Sequence, residues 1–176
     1  MKNLKFTLKA WPVVTIVTIG LCFLTQQVAK LIGIDLPDQK NVELVRNMIL
    51  AMFDSKEAFL EGIFLLSQVL ILLPVAEEFI FRYLAVLLPW RIVDKKFSSL
   101  VSKAVLAVLS TLSAVLFSAA HYISQPFDAA FLALFFFGLA QIYIYLKTKN
   151  IWFPILNHAL FNLTNLVLAL SLPAAS

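Results

Sequence analysis

Charge is what this chain has least of. Asp, Glu, Lys and Arg together make up 14% of its 176 residues, against about 25% in an ordinary soluble domain. With 61% hydrophobic residues and a mean hydropathy of +0.91, that scarcity weighs against a soluble all-α core and points to a chain dissolved in lipid. A single cysteine, Cys22, excludes an intrachain disulfide, and its apolar surroundings leave the redox compartment unread. No H-E-x-x-H and no cysteine-based zinc spacing occurs, so spacing alone does not indicate a metal. There is no soluble domain, no repeat of obvious period and no low-complexity tract. The net charge of +4 is spread through short connections, which bears on membrane orientation and argues against a nucleic-acid partner.

What is there is a series of apolar stretches, five of which approach the roughly 20 residues needed to cross a bilayer. The first runs from about Trp11 to Ile32, behind Lys2, Lys5 and Lys9. A signal peptide would also have a basic start, but Gln26-Gln27-Val28-Ala29 is a poor cleavage site. Residues 33–57 are polar and mixed in charge. Within them Val42, Val45, Met48, Ile49, Met52 and Phe53 recur at helical spacing while Lys40, Glu43 and Arg46 face elsewhere, the pattern of a short amphipathic helix on the membrane or over the bundle. Asp54 and Glu57 resemble a capping box that starts the second span. That span extends to about Leu88, is expected to bend near Pro74, and is longer than a bilayer requires. Pro89-Trp90 is expected to end it. Leu100 to His121, Phe127 to Leu146 and Ile151 to Leu172 complete the set, with a turn at Pro126. The expected fold is an all-α, polytopic transmembrane helical bundle of about five spans plus a short amphipathic helix. Residues 1–57 form its amino-terminal part and 58–172 its core. Lys and Arg concentrate at the amino terminus, in the 89–100 connection and in the 147–150 turn, and are missing from 122–127 and the carboxyl tail. The positive-inside rule then puts the amino terminus in the cytoplasm.

Glu77, Glu78 and Arg82 break the apolar pattern of the second span. One charge at the centre of a spanning helix costs about 2.5–3.5 kcal/mol on insertion scales, so three require a reason. Glu78 and Arg82, four apart, share a helix face and can neutralise one another. Glu77 is turned about 100° away and is left to face a cavity. Phe117 and His121, again four apart, close the third span. His158 and Asn162 repeat the spacing in the fifth, and Asn165 extends the stripe. These are the only two histidines in the chain. Such a set can work in two ways. Glu77 can act as a general base on a water that His121 helps hold, with His158 and Asn162 donating to the oxyanion of a hydrolysed amide. Alternatively Glu77, His121 and His158 can ligate zinc and leave a position open for water. A linear register puts Glu77 near mid-depth, His121 toward the outer end and His158 toward the inner end of their spans, so a shared site requires tilt, a kink or an offset helix.

Glu77-Glu78-Phe79-Ile80-Phe81-Arg82, Phe117-Ser118-Ala119-Ala120-His121 and His158-Ala159-Leu160-Phe161-Asn162 resemble the E-E-x-x-x-R, F-x-x-x-H and H-x-x-x-N motifs of the CAAX-protease and bacteriocin-processing (Abi) family, in order over roughly residues 60–170. The Phe137-Gly138-Leu139 stretch, Tyr145 to Thr148 and Trp152 to Ile155 are similar to its approach to the last motif. The resemblance implies an intramembrane endopeptidase acting on a membrane-associated peptide or protein. Glu77 and His121 would act on the water and His158 and Asn162 at the oxyanion, with Glu78, Arg82 and Phe117 in support. It implies no cofactor in the glutamate-type version, which is favoured, and zinc in the metalloprotease version. The short chain fits a compact bacterial member of the cytoplasmic membrane, with roles in peptide maturation or bacteriocin self-immunity. Tyr83 stands where many members have glycine, which is expected to narrow the cavity there. Two other readings use the same residues: a non-enzymatic immunity or scaffold protein of this fold, and a transporter, against which the missing inverted repeat counts. Substrate identity and oligomeric state are not legible.

Overall fold

The computed structural model describes residues 2–37, 40–123 and 126–171, leaving aside the side chains of residues 40–43. Every regular element among them is a helix. Five are long and apolar enough to cross a membrane: α1 (Lys2–Leu31), α3 (Lys56–Asp94), α4 (Ser99–Ala120), α5 (Ala130–Thr148) and α6 (Trp152–Ser171). A shorter α2 (Lys40–Ala51) lies between the first two. The all-α, five-span expectation therefore holds; Leu172, expected to end the last span, lies outside the described residues.

The first span begins earlier than its apolar run and passes through Pro12. It packs along α5 and α6. Asn3 Nδ2 donates to the Thr148 carbonyl at 2.9 Å, the Phe6 and Tyr143 rings meet at 6.3 Å, and Trp11 Nε1 donates to Thr164 Oγ1 at 3.2 Å. These contacts put the amino terminus at the same end of the bundle as the α5–α6 turn. At the opposite end α2 packs over the bundle: Ile49 and Met52 meet Leu166, with Val45, Leu65, Leu66 and Leu170 around them. Arg46 Nε donates to the Ala169 carbonyl at 3.0 Å. Met48 and Phe53, which shared the helical spacing, are exposed instead, and the side chains of Lys40, Val42 and Glu43 are outside the described set. Gly62 permits the close approach of α3, since a Cβ there would stand 2.7 Å from Met52 Cβ.

Two sequence expectations for α3 are corrected. The cap is Ser55, whose hydroxyl accepts the Ala58 N–H at 3.1 Å, and Asp54 stands one residue outside. The helix also runs on through Pro89-Trp90 to Asp94, which carries Arg91 and Asp94 on the helix. The reason lies in the backbone. Residues Gln68–Leu72 and Glu78–Leu87 are wound as π-helix, with Leu73 N–H donating to Gln68 O and Leu88 N–H to Tyr83 O, five residues back. Each wide turn comes just before a proline, Pro74 or Pro89. A proline ring clashes with the carbonyl four residues earlier and offers no N–H; widening the turn by one residue relieves the clash without ending the helix.

The far ends of α4 and α5 are tied by Tyr122, whose hydroxyl donates to Asp128 Oδ1 at 2.5 Å, while the same oxygen accepts the Ala130 N–H at 2.7 Å. Burial, followed by the Asp128 carboxylate, pushes the Tyr122 hydroxyl well above its usual range, so it stays a donor.

Candidate active site

The core between α3, α4, α5 and α6 is where the polar residues meet. Its aromatic floor is Phe117, Phe137 and Phe161. Along α4 the buried positions Ser110, Ser113, Ala114, Phe117 and Ser118 follow helical spacing and are mostly small, which lets neighbouring backbones come close. A Cβ on Gly138 of α5 would lie 3.3 Å from Ala114 Cα and 3.5 Å from Arg82 Nη2. The missing side chain thus relieves a tight approach of α5 to Ala114 of α4, while the arginine would be in ordinary contact. Ser113 Oγ donates to the Phe81 carbonyl in the wide segment of α3, satisfying backbone that π winding disturbs.

Glu78 and Arg82 are fully buried, with Arg82 Nε 3.1 Å from Glu78 Oε2. The contact is an ion pair without hydrogen-bond alignment. The guanidinium lies 4.1 Å above the Phe117 ring, a cation–π contact that adds to its neutralisation. The other oxygen, Glu78 Oε1, meets His158 Nδ1 at 2.9 Å. This fixes the ring so that Nε2 is aimed at Glu77 Oε2, 3.6 Å away. The acid expected to be solitary is therefore partnered. Glu77 keeps 23% of its side chain exposed while His158 keeps 5%. Two acids side by side in sequence thus have different environments, one sealed and one open.

His158 stands against Phe117 at 6.0 Å and Phe137 at 5.0 Å between ring centroids. His121, the residue that ends α4, packs its ring on Phe117 at 4.8 Å, with Nδ1 2.9 Å from the Phe117 carbonyl. Both histidines therefore share one phenylalanine, despite their different places along their spans. Tyr83 stacks on Phe79 at 5.2 Å, with the planes 18° apart.

Asn162 is engaged by the backbone. In the register where Leu73 N–H reaches Gln68 O, the Val69 carbonyl would wait for an N–H at position 74. Proline has none. Asn162 Nδ2 donates to that carbonyl at 2.9 Å, so a side chain of α6 completes a helix turn of α3.

Sequence reasoning missed Gln141 and Asn157, fully buried, which join α5 to α6 through Gln141 Nε2 and Asn157 Oδ1 at 3.0 Å. Their signal was available, since a Gln inside an apolar span and an Asn beside His158 are both costly to bury unpaired. Gly138 was noticed only as part of a motif, and its role beside Arg82 depends on packing.

Among the described residues no three His, Cys, Asp or Glu side chains are grouped to hold a metal ion. Glu77, His121 and His158 as placed do not fit the zinc set.

No curated protein and no solved structure matches the chain. Residues 59–164, more than half of it, match the family described as type II CAAX prenyl endopeptidase Rce1-like. That interval holds all three charged and histidine-bearing motifs and both π-wound segments. The chain belongs to the Rce1-like CAAX endopeptidase family of membrane proteases.

Proposed function

We propose that the protein is an intramembrane endopeptidase that cleaves a membrane-associated peptide or protein near one terminus, with a water activated by Glu77. The observation that carries this reading is the relay from Arg82 through Glu78 to His158, which ends 3.6 Å from the half-open Glu77. With His158 protonated on both nitrogens, Nδ1–H donates to Glu78, and Nε2–H faces Glu77 at 3.6 Å, beyond hydrogen-bond length, so a substrate oxygen can accept it. The four groups then sum to zero charge, the condition a site in lipid favours. Water loses its proton to the Glu77 carboxylate as its oxygen attacks the amide carbon. The carbonyl oxygen becomes an oxyanion, stabilised by His158 Nε2–H and by the second amide hydrogen of Asn162, the first being committed to Val69 O. Collapse breaks the C–N bond, and the proton held by Glu77 passes to the leaving amine. His121, packed on the same Phe117 as His158, is assigned to the water's surroundings.

This mechanism uses only the chain's own side chains, consistent with a glutamate-type peptidase. The basic residues at the amino-terminal end argue for that end facing the cytoplasm, in a bacterial cytoplasmic membrane, with peptide maturation or bacteriocin self-immunity as the setting. The test is cleavage of a membrane-anchored reporter peptide by purified protein in liposomes. Wild type is expected to cleave, and Glu77→Gln to lose about 10²–10⁴-fold in rate with unchanged unfolding temperature. Undiminished turnover by that variant overturns the assignment. Immunity or partner binding that survives it would favour the non-enzymatic scaffold.

A further inference from the structure

A concavity lies away from the glutamates and histidines, where the end of α3 meets the end of α5. It encloses about 410 Å³ and is lined by Trp90, Arg91, Asp94, Lys95, Tyr145 and Lys149. Three cations and one acid face it, and the acid is already engaged: Asp94 Oδ1 accepts from Ser102 Oγ, which in turn accepts from Trp90 Nε1 at 2.9 Å. Two of the three cations rest on neutral aromatics. Arg91 donates to the Tyr145 hydroxyl, and Lys149 Nζ stands 5.8 Å over the Trp90 ring. Lys149 reaches that place because its backbone turns left-handed, at φ 57°, immediately after α5. Among the described residues no carboxylate pairs with Arg91, Lys95 or Lys149. The helix-end carbonyls nearby are also occupied, Tyr145 O by Lys149 N–H and Val93 O by the Lys96 and Phe97 N–H groups.

This is a positively charged cavity with an aromatic floor at the ends of two spans, the depth at which Trp and Tyr meet phospholipid headgroups. We propose that it binds the phosphate of an anionic phospholipid headgroup, with Arg91, Lys95 and Lys149 as the cations and Trp90 and Tyr145 against the glycerol region. A lipid supplies both parts the cavity presents, a phosphodiester and an apolar stem, and basic clefts between helix ends are suited to it.

The experiment is native mass spectrometry of the full chain in mild detergent, with phosphatidylglycerol and phosphatidylcholine offered in equal amounts. Wild type is expected to retain phosphatidylglycerol preferentially. R91Q/K149Q should lose about fivefold of that preference for each cation removed. K95Q/K149Q should do the same, and neither of its side chains donates a hydrogen bond within the described protein. K2Q/K5Q removes as much charge from the same end but outside the cavity, and should leave the preference unchanged. Equal retention of the two lipids by wild type overturns the proposal. So does an equal loss in K2Q/K5Q, which would mean a diffuse field. Full displacement by millimolar inorganic phosphate would assign the cavity to a free anion, and displacement by a micromolar acidic peptide would assign it to a protein partner; either result overturns the lipid.

Discussion

At the scale of single residues, the two glutamates carry opposite predictions. Glu78 is sealed between Arg82 and His158, so Arg82→Met leaves a buried carboxylate without its cation. That is expected to cost about 3–5 kcal/mol, only part of it recovered in Glu78→Met/Arg82→Met, because His158 Nδ1 then loses its acceptor. Chemical unfolding in detergent micelles measures both. Glu77 is half-open, and Glu77→Gln is expected to leave stability within about 0.5 kcal/mol while removing activity. A Glu77 variant as unstable as the Arg82 variant would mean that the two acids share one structural task. The division between them was legible in sequence, because four-residue spacing selects Glu78 as the partner of Arg82. The approach of His158 to Glu77 was not, since it depends on α6 lying beside α3, eighty residues away.

At the scale of elements, the prolines explain what the sequence concealed. Pro89 read as a helix end, yet α3 continues past it, because a wide turn absorbs the ring. Ser55 took the cap expected of Asp54, a one-residue shift that composition cannot decide, since both side chains can accept the same N–H. The tie from Asn162 to the Val69 carbonyl was equally hidden. It exists only because the preceding turn is π-wound and position 74 has no donor. This gives a double-mutant prediction. Asn162→Leu alone strands a half-buried carbonyl and is expected to cost about 1 kcal/mol. In a Pro74→Ala background the new amide supplies the missing donor, so the same change should cost clearly less. Additive costs across this cycle would refute the pairing. Gly138→Leu, which would drive a side chain into Ala114 and Arg82, is expected to lower stability by about 1–3 kcal/mol and to reduce cleavage as well. A stable, fully active variant would mean that α4 and α5 are not in close contact there.

At the scale of the whole molecule, the five-span bundle was legible because lipid-facing helices announce themselves by hydrophobicity. The last three spans keep their expected bounds to within about three residues, whereas the first begins nine residues before Trp11 and the second runs six past Leu88. What stayed hidden was depth. A linear register separates Glu77, His121 and His158, whereas both imidazoles pack on Phe117 in the folded chain. That shared contact comes from how the helices are offset, which hydropathy does not encode. The same assembly leaves no cluster of three metal-binding side chains among the described residues. Elemental analysis of active protein is therefore expected to find well below one equivalent of zinc, with cleavage insensitive to chelators. A full equivalent lost together with activity would return the mechanism to a metal.

The 39 residues of α3 would extend to about 58 Å at ordinary helical rise, nearly twice a hydrocarbon layer of about 30 Å. The two wide segments take up some of that excess: one ends five residues before Glu77 and the other begins at Glu78. Acyl-chain length is therefore expected to act on the backbone that carries Glu77. Liposomes built from shorter or longer lipids should change the rate of cleavage without any change in the protein, making catalytic output a gauge of bilayer thickness.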